Sequence, residues 1–192
     1  KVNLLVDIQA KLAEGKGPGY ERWAKVFNLK QMAAALAYLQ DNGLTEYGEL
    51  EKKAAETTDR FHVLSDRIKQ TENATNTNRE LKTATVQYAR TRPVFEKYKA
   101  AKYSRKFLAE HEADIELYRA AQADLKRLLD GAKLPKMDVL KEEGRRLAEQ
   151  KRKLYAEYQR VRRDMQEVNT AKANIDYLLG YAGQDKKKEQ ER

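Results

Sequence analysis

The sequence has 192 residues, of which 36% are charged and 41% hydrophobic, with three prolines, nine glycines and no cysteine. This composition is typical of long helices, argues against a β-sandwich or β-barrel, and excludes disulfides and thiolate chemistry. No run of about 18 apolar residues is present, so we expect no contact with a membrane, and the lack of cysteine fits a cytoplasmic location. The chain begins at Lys1, and we interpret it as part of a longer protein.

Residues 1–44 are predicted to form a bundle of three short helices packed at the base of a stalk. A Gly-Pro-Gly break at residues 17–19 separates the first two helices. Asn28 is a candidate N-cap for the third helix, and Gly43 suits the left-handed position that follows its end. Three aromatic residues form a stripe on the second helix, where we expect them to pack in the bundle: Tyr20, Trp23 and Phe27.

Residues 45–90 and 135–180 are predicted to form a long antiparallel coiled-coil hairpin, because both carry seam residues at alternating steps of three and four. Thr45 is a candidate N-cap for the first of these helices, and Pro135 suits the first turn of the second. The heptads fit a coiled-coil homodimer equally well. The polar segment 181–192 that follows is predicted to be a disordered charged tail.

The two heptad seams also predict a register for the hairpin. Matching their apolar positions sets Phe61 against Met165. The same pairing sets the polar stretch 71–78 against Lys151, the only lysine in the middle of the second seam. We therefore expect a polar layer at this level of the stalk.

Residues 91–134 are predicted to form a helical insert at the tip of the stalk. A break is expected before Pro93, because a residue that precedes proline avoids the helical conformation. Ser104 is expected to cap a longer helix within the insert. That helix is predicted to end at Asp130 and Gly131.

Residues 88–106 carry seven basic side chains and one acidic side chain, a net charge of +6. Arginine and lysine neutralise phosphates, and the tyrosines and phenylalanines between them offer faces on which unpaired bases can stack. In the alternative interpretation, the aromatic residues pack the insert and the basic side chains are simply solvated. The predicted nucleic-acid-binding residues are Arg90, Arg92, Lys97, Lys99, Lys102, Tyr103, Arg105 and Lys106.

A second basic segment, residues 145–163, also has a net charge of +6, from eight basic and two acidic side chains. Here a charged flank of the coiled coil is the favoured interpretation, because four glutamates offer ion-pair partners about one helical turn away: Glu142, Glu143, Glu149 and Glu157. The residues of this secondary basic patch are Arg145, Arg146, Arg152 and Lys153.

The sequence shows no motif for catalysis. It has no glycine-rich phosphate loop, no nucleophile elbow and no histidine cluster. His111 has acidic neighbours but no second histidine at helical spacing, so we expect a packed histidine there and at His62. We therefore predict that this region is not an enzyme and binds neither a cofactor nor a metal.

Two strings carry a resemblance to a known family: "YERWAKVFNLKQMA" at residues 20–33 and "YSRKFLAEHE" at residues 103–112. They resemble the region that follows the nuclease domain in relaxase/mobilisation proteins of bacterial conjugative elements. The likeness extends from residue 3 to about residue 180. In that family, a tyrosine of the amino-terminal domain nicks DNA with the help of a histidine-bound metal, and no residue here matches those catalytic residues.

The resemblance implies a non-catalytic, all-helical accessory region that assists conjugation by binding the origin of transfer or single-stranded DNA. In the alternative that it leaves open, this region is a protein-docking or dimerisation module. Such a module would recruit relaxosome, coupling or secretion-system proteins.

Overall fold

The structure, a computed structural model, describes Leu4, Ala10 and residues 29–190. These residues contain five helices and no strand, which confirms the predicted all-α fold. The aromatic stripe at Tyr20, Trp23 and Phe27 and the first two predicted helices lie outside the described residues, apart from Leu4 and Ala10. The helices are α1 (Leu29–Asp41), α2 (Tyr47–Ala100), α3 (Arg105–Glu110), α4 (Glu112–Leu129) and α5 (Met137–Gln190).

The chain divides into two compact units. The first unit comprises Lys1–Ser65 and Ala156–Arg192, and the second comprises Asp66–Tyr155. None of the helices in the described ranges has an apolar stretch that would cross a bilayer.

The core of the first unit is built from α1, the start of α2 and the carboxy-terminal part of α5. Leu39, Leu50 and Ile175, one from each of these helices, are completely buried in it. Leu4 is buried in the same cluster, and its N–H donates to the Thr45 carbonyl at 2.7 Å. Burial of side chains of this size stabilises the unit by about 1.5–3 kcal/mol each.

The end of α1 follows the prediction from Gly43. This glycine has φ +61°, and its N–H donates to the Gln40 carbonyl at 3.1 Å, while the Leu44 N–H donates to the Leu39 carbonyl at 2.9 Å. These two bonds form a Schellman motif, which satisfies carbonyls at the end of a helix.

Helix α2 begins at Tyr47, two residues after the predicted cap. Glu49 in its first turn accepts from the Thr45 N–H at 2.9 Å and the Glu46 N–H at 3.2 Å. A carboxylate in the first turn therefore satisfies amides that have no intrahelical partner.

In the first unit, the start of α2 runs antiparallel to the end of α5. Tyr47 donates to Asp176, and the Phe61 ring lies 5.0 Å from the Tyr158 ring. The sequence pairing set Phe61 against Met165, one heptad further along α5. In a coiled coil each seam residue inserts between successive seam residues of the facing helix, so the heptad pattern alone does not decide which of them lies nearest to Phe61.

In the second unit, the polar stretch 71–78 of α2 meets α5 at the level that the sequence predicts. Glu72 forms an ion pair with Lys151 at 2.9 Å. Asn78 is buried and donates to the Leu140 carbonyl at 2.9 Å. A Cβ at Gly144 would lie 3.0 Å from the Asn78 Oδ1, so glycine allows this side chain to approach α5 closely.

The predicted break before Pro93 is wrong, because α2 continues through it to Ala100. Proline in a helix removes one hydrogen bond and costs about 3 kcal/mol. Aromatic packing on both sides of the proline offsets this cost, since Tyr88 and Phe95 both stack on Tyr118 of α4. Tertiary contacts thus override the local preference.

The predicted longer helix after Ser104 is divided at His111, which has φ −130° and ends α3. Its ring packs 4.3 Å from Phe107, and α4 begins at the next residue. The predicted end at Asp130 and Gly131 is confirmed by left-handed φ angles of 43° and 84°.

Helix α5 begins at Met137, two residues after Pro135, and its helical backbone reaches Gln190. It thereby enters segment 181–192, for which the sequence predicts disorder. Lysine, glutamate and glutamine are good helix formers, so a polar composition alone does not prevent a helix.

Candidate nucleic-acid interface

Most aromatic side chains in and beside the basic segment 88–106 pack inside the second unit. Phe95 stacks on Tyr118 at 4.1 Å, and Tyr98, which is only 5% exposed, contacts Phe107 at 6.1 Å. The alternative interpretation of these aromatic residues, that they pack the insert, therefore holds for Phe95, Tyr98 and Phe107. Tyr98 is buried, and Phe95 and Phe107 are half-buried, so these rings present little free surface to a base.

The ring of Tyr118 lies at the centre of this packing. A hydrogen bond with Tyr88 and burial raise the pKa of Tyr118 to about 12. The Glu96 carboxylate contributes to this raised pKa and the Arg92 guanidinium opposes it, which indicates that both charges lie near the Tyr118 hydroxyl. The basic segment of α2 therefore has one flank directed toward α4.

Tyr103 is the exception among the aromatic residues, because 54% of its surface is exposed. It lies in the turn after α2, where Lys102 has φ 51° and Tyr103 has φ 61°. Side chains with a Cβ rarely adopt this left-handed region, and when they do they often lie at functional sites.

Backbone hydrogen bonds hold the turn in this conformation. The Lys102 N–H donates to the Lys99 carbonyl at 3.0 Å, and the Tyr103 N–H donates to the Tyr98 carbonyl at 3.1 Å. These are the two bonds of a Schellman motif. The Tyr103 ring meets the edge of the Tyr98 ring at 5.2 Å, which anchors it while leaving much of its surface in solvent.

Exposed basic residues flank Tyr103 in the sequence. Lys102 precedes it, and Arg105 and Lys106 follow in the first turn of α3. Ser104 caps α3 by accepting from the Phe107 N–H at 3.5 Å, as predicted. The turn therefore brings together four of the eight predicted residues.

The four predicted residues on α2 are exposed but lie on two different flanks. Arg90 and Lys97 are seven residues apart, as are Arg92 and Lys99, so each pair shares a flank. The two-residue offset between the pairs places them about 200° apart around the helix. Arg92 forms a long ion pair with Glu96, at 3.9 Å.

Three of the four residues of the secondary basic patch form ion pairs along α5, which favours the interpretation of a charged helix flank. Ion pairs along α5 join Arg145 to Glu142 at 3.5 Å and Lys153 to Glu149 at 2.9 Å. A third ion pair joins Arg146 to Glu143 at 4.0 Å. The Lys153 ammonium also holds the pKa of the Glu149 carboxyl below its usual value.

The excess of positive charge belongs to one unit. Residues 66–155 contain 22 basic and 14 acidic side chains, a net charge of +8. The remaining residues contain 17 basic and 16 acidic side chains, a net charge of +1. The attraction for a polyanion is therefore concentrated in the second unit.

The two histidines, both among the described residues, differ in their surroundings. The described residues contain no cluster of histidine and carboxylate side chains that could hold a metal ion. His111 is half-buried against Phe107, as expected. The expectation of a packed His62 is wrong, because His62 is exposed and touches only the edge of the Phe61 ring at 5.8 Å. One helical residue turns a side chain by about 100°, which takes His62 off the seam.

Comparison with known proteins found no match among family models, curated proteins or solved structures.

Proposed function

We propose that this region is a helical module that binds single-stranded nucleic acid through the turn after α2. The observation that carries the proposal is Tyr103, an exposed aromatic ring held in a left-handed turn. Lys102, Arg105 and Lys106 lie beside it in sequence and are exposed. A ring flanked by cations is the arrangement with which proteins stack a base and neutralise its phosphates.

The charge distribution supports the same proposal. The second unit, which contains this turn, has a net charge of +8. Counterion release from a nucleic-acid backbone favours binding to such a surface and makes the affinity salt-dependent. Single strands are preferred in the proposal because only unpaired bases present a free face to Tyr103.

The biological role that we propose is accessory and non-catalytic, in the cytoplasm. The resemblance to the post-nuclease region of conjugative relaxases supports it, with origin or single-stranded DNA as the ligand. In this role, the region would hold the strand on which a separate nuclease domain acts. Docking of relaxosome or coupling proteins, or homodimerisation, is the alternative role.

The test is fluorescence anisotropy of labelled single-stranded and duplex DNA, titrated with the whole chain. Binding is expected to favour the single strand and to weaken as salt rises. Tyr103→Ala is expected to reduce single-strand affinity by roughly fivefold to a hundredfold, corresponding to about 1–3 kcal/mol for one stacked base.

Tyr155→Ala is the matched control, because it removes the other exposed tyrosine of the second unit. Circular dichroism would establish that both variants remain folded. Equal affinities of the unmodified protein, Tyr103→Ala and Tyr155→Ala for the single strand would refute the stacking role.

A further inference from the structure

One exposed face of α2 carries basic side chains well beyond the predicted segment. Arg79, Val86, Arg90 and Lys97 follow one another at steps of seven, four and seven residues. These steps add up to five turns of an α-helix, so the four side chains lie within about 40° of one another. All four are exposed, and Val86 is 56% exposed.

The acidic residues of this part of α2 are engaged elsewhere. Between residues 73 and 100 the helix has only two carboxylates, Glu80 and Glu96. Glu80 pairs with Arg127 of α4 at 3.1 Å, and Glu96 pairs with Arg92 at 3.9 Å. Within the described residues, Arg79, Arg90 and Lys97 form no ion pair, so their charges face solvent without a counter-charge.

The opposite flank of α2 differs in charge. Arg92 and Lys99 share it with Glu96, which pairs with Arg92. This flank is also the one near the Tyr118 hydroxyl of α4, where both Arg92 and Glu96 act. A phosphate backbone would therefore meet a carboxylate and a neighbouring helix on this flank.

We propose that Arg79, Arg90 and Lys97 form a phosphate-binding face, and that a nucleic-acid strand lies along α2 on this face and reaches Tyr103. The face spans 19 residues, from Arg79 to Lys97, or about 27 Å of helix, which is long enough for several consecutive phosphates. This inference rests on the proposed function. It extends the binding surface to Arg79, which lies outside the basic segment 88–106.

Two double variants with the same chemistry test the face. Arg90→Gln/Lys97→Gln removes one arginine and one lysine from it, and Arg92→Gln/Lys99→Gln removes the same two residue types, at the same spacing, from the opposite flank. Single-strand binding would be measured by anisotropy at several salt concentrations. We expect the first variant to lose at least tenfold in affinity at low salt and about 1.4 in the slope of log K against log salt, about 0.7 for each lost contact.

The second variant is expected to change affinity less than threefold. Arg79→Gln alone is expected to lower the slope by about 0.7. Equal losses of single-strand affinity in the two double variants, or an unchanged salt slope in Arg79→Gln, would refute the phosphate-binding face. Neither result would contradict the proposed function. If the unmodified chain did not bind the single strand at about 50 mM salt, the proposed function itself would be refuted.

Discussion

Lys102 occupies, at the end of α2, the position that Gly43 occupies at the end of α1. Each residue follows its helix in a left-handed conformation. Each of the two helix ends has the two hydrogen bonds of a Schellman motif. Glycine adopts this conformation without strain, whereas a residue with a Cβ is strained in it by about 1–2 kcal/mol. A lysine at such a position lowers stability, which is the pattern found where function has selected the side chain.

Replacement of Lys102 by glycine should therefore stabilise the protein. We expect Lys102→Gly to raise the free energy of unfolding by about 0.5–1 kcal/mol, because relief of strain exceeds the added entropy of the unfolded chain. Lys99→Gly, in the last turn of α2, should instead lower it by about 1 kcal/mol. Urea unfolding of the two variants measures both effects, and destabilisation by Lys102→Gly would contradict the described turn.

Tyr118 makes stability depend on pH in the alkaline range. Its pKa is about 12 in the folded protein against 10.0 for the free side chain, so the folded state holds this proton more tightly. The stabilisation is complete below pH 10 and is lost as pH rises toward 12.

Tyr118→Phe has no proton to lose at this position. Its free energy of unfolding should therefore fall less steeply than that of the unmodified protein between pH 9 and about pH 11.5. Urea unfolding at several pH values in this range compares the two slopes. Identical slopes would show that the Tyr118 hydroxyl is not protected by Tyr88.

At the scale of the elements, α2 shows how tertiary packing overrides a local signal. The sequence predicts a helix break before Pro93, yet the helix continues. Tyr88 and Phe95, which lie on either side of Pro93 in the sequence, both stack on Tyr118. The missing hydrogen bond remains as a local cost.

Pro93→Ala should restore this hydrogen bond without loss of packing, because Pro93 is exposed. We expect the free energy of unfolding to rise by about 1–3 kcal/mol. Lys97→Ala, also exposed on α2, serves as a control and should change it by less than about 0.5 kcal/mol. If Pro93→Ala lowered stability, the chain would leave the helix at residue 93, as the sequence alone suggests.

The ends of the elements that the sequence predicts correctly depend on local chemistry. Gly43, Ser104 and Gly131 end or cap helices through bonds to residues a few positions away. The nearest aromatic partner of Phe61 could not be predicted, because a seam residue inserts between successive seam residues of the facing helix and the heptad pattern does not say which one it contacts. The division at His111 was also missed, since no glycine or proline marks it.

The candidate site, too, could be predicted only in part from the sequence. Composition reveals the net charge of residues 88–106, but it does not reveal which aromatic rings are free. Packing buries Tyr98 and leaves Tyr103 exposed, although both are tyrosines among lysines. The extension to Arg79 required a continuous α2, which the expected break at Pro93 had obscured.

At the scale of the whole molecule, the uneven distribution of charge is the dominant chemical feature. Most of the net charge of +9 belongs to the second unit, whose surface carries the turn at Tyr103 and the exposed face of α2. Both features fit a polyanion with unpaired bases.

The most direct test is the salt dependence of binding between the unmodified chain and a labelled single-stranded oligonucleotide. Six phosphate contacts, from the turn and the α2 face together, predict a slope of about −4 in a plot of log K against log salt. Such a slope, with weaker binding to duplex DNA, would support a strand-binding surface. No binding at about 50 mM salt, or an affinity that salt does not change, would contradict it.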